Sequence, residues 1–89
     1  MPDAYIVERA RVLGVFGENV RGLREGRGLA QEALGEVASL HRNEIGIVER
    51  GECEPGLLVL LILADALGVP PCTLLDGLPV PGARRPRRR

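Results

Sequence analysis

The side chains of this chain best suited to chemistry are directional hydrogen-bond donors, gathered around the stretch RNEIGIVERG. Arg42 and Asn43 stand side by side at its head, His41 just precedes them and Arg50 lies near its end. The fork of a guanidinium matches the paired acceptors of guanine, and a carboxamide matches the acceptor–donor pair of adenine. Ile47, one helical turn beyond Asn43, has the character to touch a thymine methyl. Gln31 opens a predicted helix, and a helix N-terminus attracts the phosphate oxygens of a DNA backbone. His41, Arg50 and, from an intervening loop, Arg27 are the further phosphate candidates. Each also has a plainer reading. Arg42 and Asn43 suit a solvated helix face, Ile47 an exposed apolar position and Gln31 a polar first turn. His41 equally suits an N-cap, with Glu44 three residues on at the spacing of a capping box.

Catalysis has no comparable set of residues. The chain holds one Ser (Ser39), one Thr (Thr73) and one His, with no nucleophile–base pair and no phosphate loop. An enzyme is therefore disfavoured, and no cofactor or small-molecule ligand is implied. Cys53 and Cys72 stand nineteen apart without a CxxC, which argues against both a disulfide framework and a metal site. Reduced thiols in a cytoplasmic protein are the expectation, with residence at the nucleoid when DNA is bound. The longest apolar run, 57–64, is far short of the ~20 residues that span a bilayer.

The elements that must position these donors follow from apolar spacing. Leu34 and Ala38 share one helical face, and Ile45 and Val48 share another, with only Ser39-Leu40-His41 between them. Two short helices joined so tightly bury their faces against each other by crossing steeply, which is a helix-turn-helix. Arg42, Asn43 and Glu44 then begin the second helix on its exposed side. Upstream, Phe16, Val20 and Leu23 recur at helical spacing until Gly26 and Gly28 stop the helix. Residues 1–15 read as a helical N-terminal segment interrupted at Gly14. Residues 16–77 form the helix-turn-helix domain, and 78–89, rich in Pro and Arg, form a tail expected to be disordered. The fold class is all-α, a compact five-helix bundle with helices near 16–25, 30–38, 42–50, 56–67 and 72–75.

The fourth of these helices is too apolar for one buried face. Leu57, Leu60, Leu61, Ala64 and Leu67 are assigned inward, which leaves Leu58, Val59 and Ile62 outward. Two covers suit them: residues 1–13 folded back, with Tyr5, Ile6 and Val12, or a second copy of the chain in a homodimer.

Charge is unevenly spread. Residues 1–83 carry seven Arg against twelve acidic groups, a net of −5, and five Arg after residue 83 restore neutrality. An acidic body opposes DNA binding, because phosphate neutralisation dominates affinity. The arginine-rich end offsets this as a clamp on nucleic acid, or serves only to keep the chain soluble.

The segments FGENVRGLREGRGLAQEAL (16–34), SLHRNEIGIVERG (39–51), EPGLLVLLILADALGVP (54–70) and TLL (73–75) together resemble the Xre/Cro-like family of phage-repressor-type helix-turn-helix regulators. The resemblance implies a lambda-repressor-like DNA-binding domain that binds double-stranded operator DNA as a dimer and regulates transcription through a recognition helix at 42–50. It also implies a buried pair between Arg24 and Glu49, where loss of one partner costs more than the pair itself contributes. Three departures stand out. Gly35 replaces the usual Ala and Ser39 the usual turn Gly, each expected to weaken the unit by up to ~1 kcal/mol. Gly46 and Ile47 occupy positions that are often polar, which thins the base-reading surface. The alternative function, favoured by the acidic body and the apolar fourth helix, is a protein-interaction module on the same scaffold, antitoxin-like or recruiting another regulator.

Overall fold

Aliphatic side chains from every helix meet in one core: Val20, Leu34, Ile45, Leu63, Leu67 and Leu74 are all fully buried. The computed structural model describes residues 3–80, with side chains from residue 7 onward. Its elements are α1 (Asp3–Gly26), α2 (Gln31–Ala38), α3 (Arg42–Glu49), α4 (Leu57–Leu67) and α5 (Pro71–Leu74), with no strand among the described residues. None of these helices is long and apolar enough to cross a membrane.

Gly14 does not interrupt α1, which runs unbroken for 24 residues. Leu13, Phe16 and Val20 are buried along it, so tertiary packing outweighs the ~1 kcal/mol that a mid-helix glycine costs in propensity. In the first half of α1, Arg9 pairs with Glu54, just ahead of α4, at 3.4 Å, and Val12 lines a small cavity with Pro79 and Val80. The side chains of Tyr5 and Ile6 lie outside the described residues. At the other end, Leu78 still packs against the core, so the packed unit extends into the expected tail. Asn19 of α1 clamps the segment between, its Nδ2 donating to the carbonyls of Leu74 at 2.9 Å and Asp76 at 2.8 Å. Residues 81–89 of the tail lie outside the described residues.

Two close approaches set the helix-turn-helix. A methyl group at Gly35 would run into the carbonyl oxygen of Leu40, whose own N–H donates to the Gly35 carbonyl at 2.8 Å. Gly35 is thus required by the turn, and the expectation that it weakens the unit is corrected. Ser39 does carry strain: it adopts φ 58°, the left-handed region, as the residue that ends α2. On the far side of α3, a Cβ at Gly17 would collide with the carbonyls of Val48 and Glu49. Glycines of α1 and α2 therefore let α3 be gripped from both sides.

The faces of α4 also need correction. Leu63, Ala64 and Leu67 are buried, and Leu60 and Val59 pack against the core. Leu57, Leu58, Leu61 and Ile62 form the outward stripe, with 71, 73, 42 and 40% of their surface exposed. The assignment holds for Leu60, Ala64, Leu67, Leu58 and Ile62 and fails at Leu57, Leu61 and Val59, because a helix apolar on all sides carries little contrast from which to read its phase.

Gly35→Ala is expected to lower stability despite the better propensity of alanine, because the Leu40 carbonyl cannot yield without breaking the turn. Ser39→Gly is expected to raise it by up to ~1 kcal/mol, since relief of left-handed strain exceeds the added freedom of the unfolded chain. Urea unfolding of both variants checks this; a stabilised Gly35→Ala protein contradicts the close approach.

Candidate nucleic-acid interface

The placement of α3 begins inside the protein. Arg24 of α1 meets Glu49 of α3 side-on, Nε donating to Oε2 at 2.6 Å and Nη2 to Oε1 at 3.0 Å, with both residues buried. The remaining Arg24 nitrogen, Nη1, donates to the Leu29 carbonyl at 2.8 Å and so ties down the loop before α2. Gln31 Nε2, at the start of α2, donates to Glu49 Oε1 at 3.0 Å. One guanidinium and one carboxylate thus bind three helices and a loop. Hydrogen bonding to Glu49 raises the Arg24 pKa and outweighs the opposing desolvation, with the charges of Glu49 and Glu25 adding to it. The cation is secure inside the fold.

The first turn of α3 is capped at both levels. His41 Nδ1 accepts from the Asn43 backbone N–H at 3.0 Å, and Glu44 Oε1 accepts from the His41 N–H at 2.9 Å. This places the imidazole proton on Nε2, which remains able to donate outward. Glu44 is occupied by the backbone. Arg42 and Asn43 are exposed beside it, Arg42 making only a loose, solvent-exposed pair with Glu32 at 3.7 Å. Such a pair is worth little and yields readily to a better partner.

The other candidates are less uniform. Ile47 is half-buried and lines an apolar groove of about 340 Å³ shared with Leu40, Val48, Cys53 and Val59. The Gln31 side chain is committed to Glu49 through one amide hydrogen, leaving the other and the helix N-terminus free. Arg27 is not gathered with the α3 residues: its guanidinium lies against Gly68, the left-handed residue that ends α4. There it stands at the C-terminal end of α4, where the helix dipole favours a cation.

Arg50 has a partner that the sequence reading overlooked. Its Nε donates to Glu52 Oε2 at 2.9 Å and its Nη2 to Glu52 Oε1 at 3.2 Å. Hydrogen bonding to Glu52 and the carboxylate's charge raise the Arg50 pKa, and hydrogen bonding from Arg50 holds the Glu52 carboxyl below its ordinary value. The signal was the glycine between them: at φ 70° Gly51 turns the chain and brings Glu52 back beside Arg50. Around α3, exposed Arg42 and Arg50 thus stand among exposed Glu32, Glu36, Glu44 and Glu52. No group of residues suited to hold a metal occurs among the described residues.

Comparison with known proteins places this geometry in company. Residues 15–76 match the family model for a helix-turn-helix domain. The control protein C.SmaI of Serratia marcescens is 44% identical over 80 residues, covering 88% of this chain and 94% of that protein. Among solved structures, the restriction-modification controller protein C.AhdI from Aeromonas hydrophila is 42% identical with a TM-score of 0.68, over 70% of this chain and 94% of its own. The DNA-binding domain of the P22 c2 repressor gives a TM-score of 0.66 at 37% identity, over 70% of this chain and 82% of its own.

Because burial leaves each charge dependent on the other, Arg24→Met or Glu49→Leu alone is expected to cost about 3–5 kcal/mol. The double variant is expected to recover much of that loss, since no orphaned charge remains inside. Denaturant unfolding of all four proteins measures the coupling; additive losses would remove the pair from its organising role.

Proposed function

The chain belongs to the helix-turn-helix domain family, among regulators of the Xre/phage-repressor type, and on that premise we propose that it binds double-stranded operator DNA as a homodimer and controls transcription. This is a family of regulators, not enzymes. In this reading α3 lies in the major groove, Arg42 and Asn43 meet base edges, and Ile47 flanks them at its half-buried position. Gln31, through its free amide hydrogen and the α2 N-terminus, and His41, through Nε2, meet phosphates on either side. Arg27 is at most a peripheral phosphate contact, given its place at the end of α4.

The observation that carries the proposal is the exposed, doubly capped first turn of α3. A capped turn holds two side chains with forked or paired hydrogen-bonding groups outward while the rest of the helix is held from behind. The similarity to C.AhdI, a restriction-modification controller protein, supports the class of target: genes of a restriction–modification system, served by a small regulator.

The outward stripe of α4 is the proposed dimer surface. Leu58 and Ile62 stay in that role, Leu57 and Leu61 join it, and Val59, packed on its own core, contributes its edge. Four exposed aliphatic residues on one helix face make a self-complementary patch, and a two-fold interface suits an inverted-repeat operator. The same stripe would serve a protein-interaction module, which is why oligomeric state and DNA binding must be measured together.

Selection from a randomised duplex pool is expected to enrich an inverted repeat, and the Arg42→Ala/Asn43→Ala variant is expected to lose it. Binding without enrichment would leave only a non-specific role. Ile62→Glu is expected to convert a dimer to a monomer in sedimentation and to weaken operator binding by at least tenfold, through loss of the linked half-site. A variant that remains dimeric removes α4 from the interface.

A further inference from the structure

The geometry of Arg50 points to a role different from phosphate contact. We propose that Arg50 reads a guanine and that Glu52 is the residue that positions it, an inference that rests on α3 being the groove-facing helix.

Three observations converge. The first is which edge of the guanidinium is used. Glu52 takes the side edge, Nε and one hydrogen of Nη2, and leaves the end edge unused. That end edge carries two parallel N–H donors, one on Nη1 and one on Nη2, the fork that matches O6 and N7 of guanine in the major groove.

The second is where the fork sits. Arg50 follows the last residue of α3, yet its Nη1 lies 3.0 Å from where a Cβ on Gly46 would be. The side chain therefore runs back along the helix by one turn, as helical side chains lean. It ends beside Gln31, whose Oε1 is 3.5 Å from the same point. Gly46 leaves room for it. A side chain at 46 would lift the fork off the helix, so an apparent gap in the reading surface is filled by an arginine from the next turn.

The third is charge. A lone arginine is drawn to any phosphate, and phosphate needs no particular orientation. Paired with Glu52, the guanidinium is locally neutralised and the carboxylate would repel a nearby phosphate. What survives is direction, and direction is what separates a base edge from the backbone. Both partners are more than half exposed, at 58 and 53%, so the pair adds little to folding. A fixed orientation on the reading face is the use that remains for it.

The test is site selection and titration with the full chain as wild type, Arg50→Ala, Glu52→Gln, Glu52→Asp and the double Arg50→Ala/Glu52→Gln. Circular dichroism is expected to be the same for all, given the exposure of both residues. Arg50→Ala is expected to reduce preference for guanine at one position of each half-site by about tenfold or more. Glu52→Gln should weaken the same position several-fold, Glu52→Asp should retain more of it, and Glu52→Gln should add nothing once Arg50 is gone. Two results of the titration overturn the proposal, and two of the site selection do so as well. In the first, Arg50→Ala weakens all sequences alike and lowers the salt slope by about one per arginine, the mark of a phosphate contact. In the second, Glu52→Gln tightens binding to every sequence, including in the Arg50→Ala background, the mark of plain repulsion. A wild-type protein that enriches no motif overturns the reading of α3 and this inference with it, whereas a motif unchanged at every position by Arg50→Ala overturns this inference alone.

Discussion

The buried pair between Arg24 and Glu49 is the constraint on which the placement of α3 depends. Glu49 is the last residue of an eight-residue helix, too short to hold its own conformation in water. The pair anchors that end to α1, while Gln31 joins the same carboxylate from α2 and Leu29 receives the third guanidinium nitrogen. Apolar packing of Ile45 and Val48 supplies most of the attraction, but it is tolerant of rotation. A side-on ion pair is not. The axial rotation of α3, and with it the direction of every side chain on its outer face, is therefore set by a charge interaction inside the protein.

Backbone approach completes the fit. Glycine at 17 lets the last carbonyls of α3 occupy the space of a missing methyl group on α1, and glycine at 35 does the same for the Leu40 carbonyl of the turn that leads into α3. These contacts keep α3 from sliding outward, and the His41–Glu44 cap stiffens its first turn. The result is a rigid support behind the exposed face of α3, which suits the proposed recognition by preformed geometry.

That surface is not a basic patch. Its arginines are shadowed by carboxylates, Arg42 by Glu32 and Arg50 by Glu52. Non-specific affinity rests on uncompensated positive charge, so in the proposed role this face would give up affinity for the backbone in exchange for discrimination. The acidic body, which first reads as an argument against DNA, is consistent with a regulator that must not linger on random sequence.

Much of the architecture was legible locally. Aliphatic spacing at 34, 38, 45 and 48 and the short joint between them specify two crossing helices, because helical periodicity is a property of neighbouring residues. The exposed start of α3 followed from the same periodicity, and the helix ends from glycines placed after apolar runs. Three features depended on the folded chain. Gly35 reads as a weak helix former until the Leu40 carbonyl is seen against it. The phase of α4 is silent in a run of aliphatic residues and is decided only by what α1, α2 and α5 leave uncovered. Glu52 looks like one more surface acid until the left-handed turn at Gly51 delivers it to Arg50. Periodicity along the chain therefore determined which helices form and where α3 begins; distances between segments, which no local pattern encodes, decided how those helices are locked and which way the arginines point.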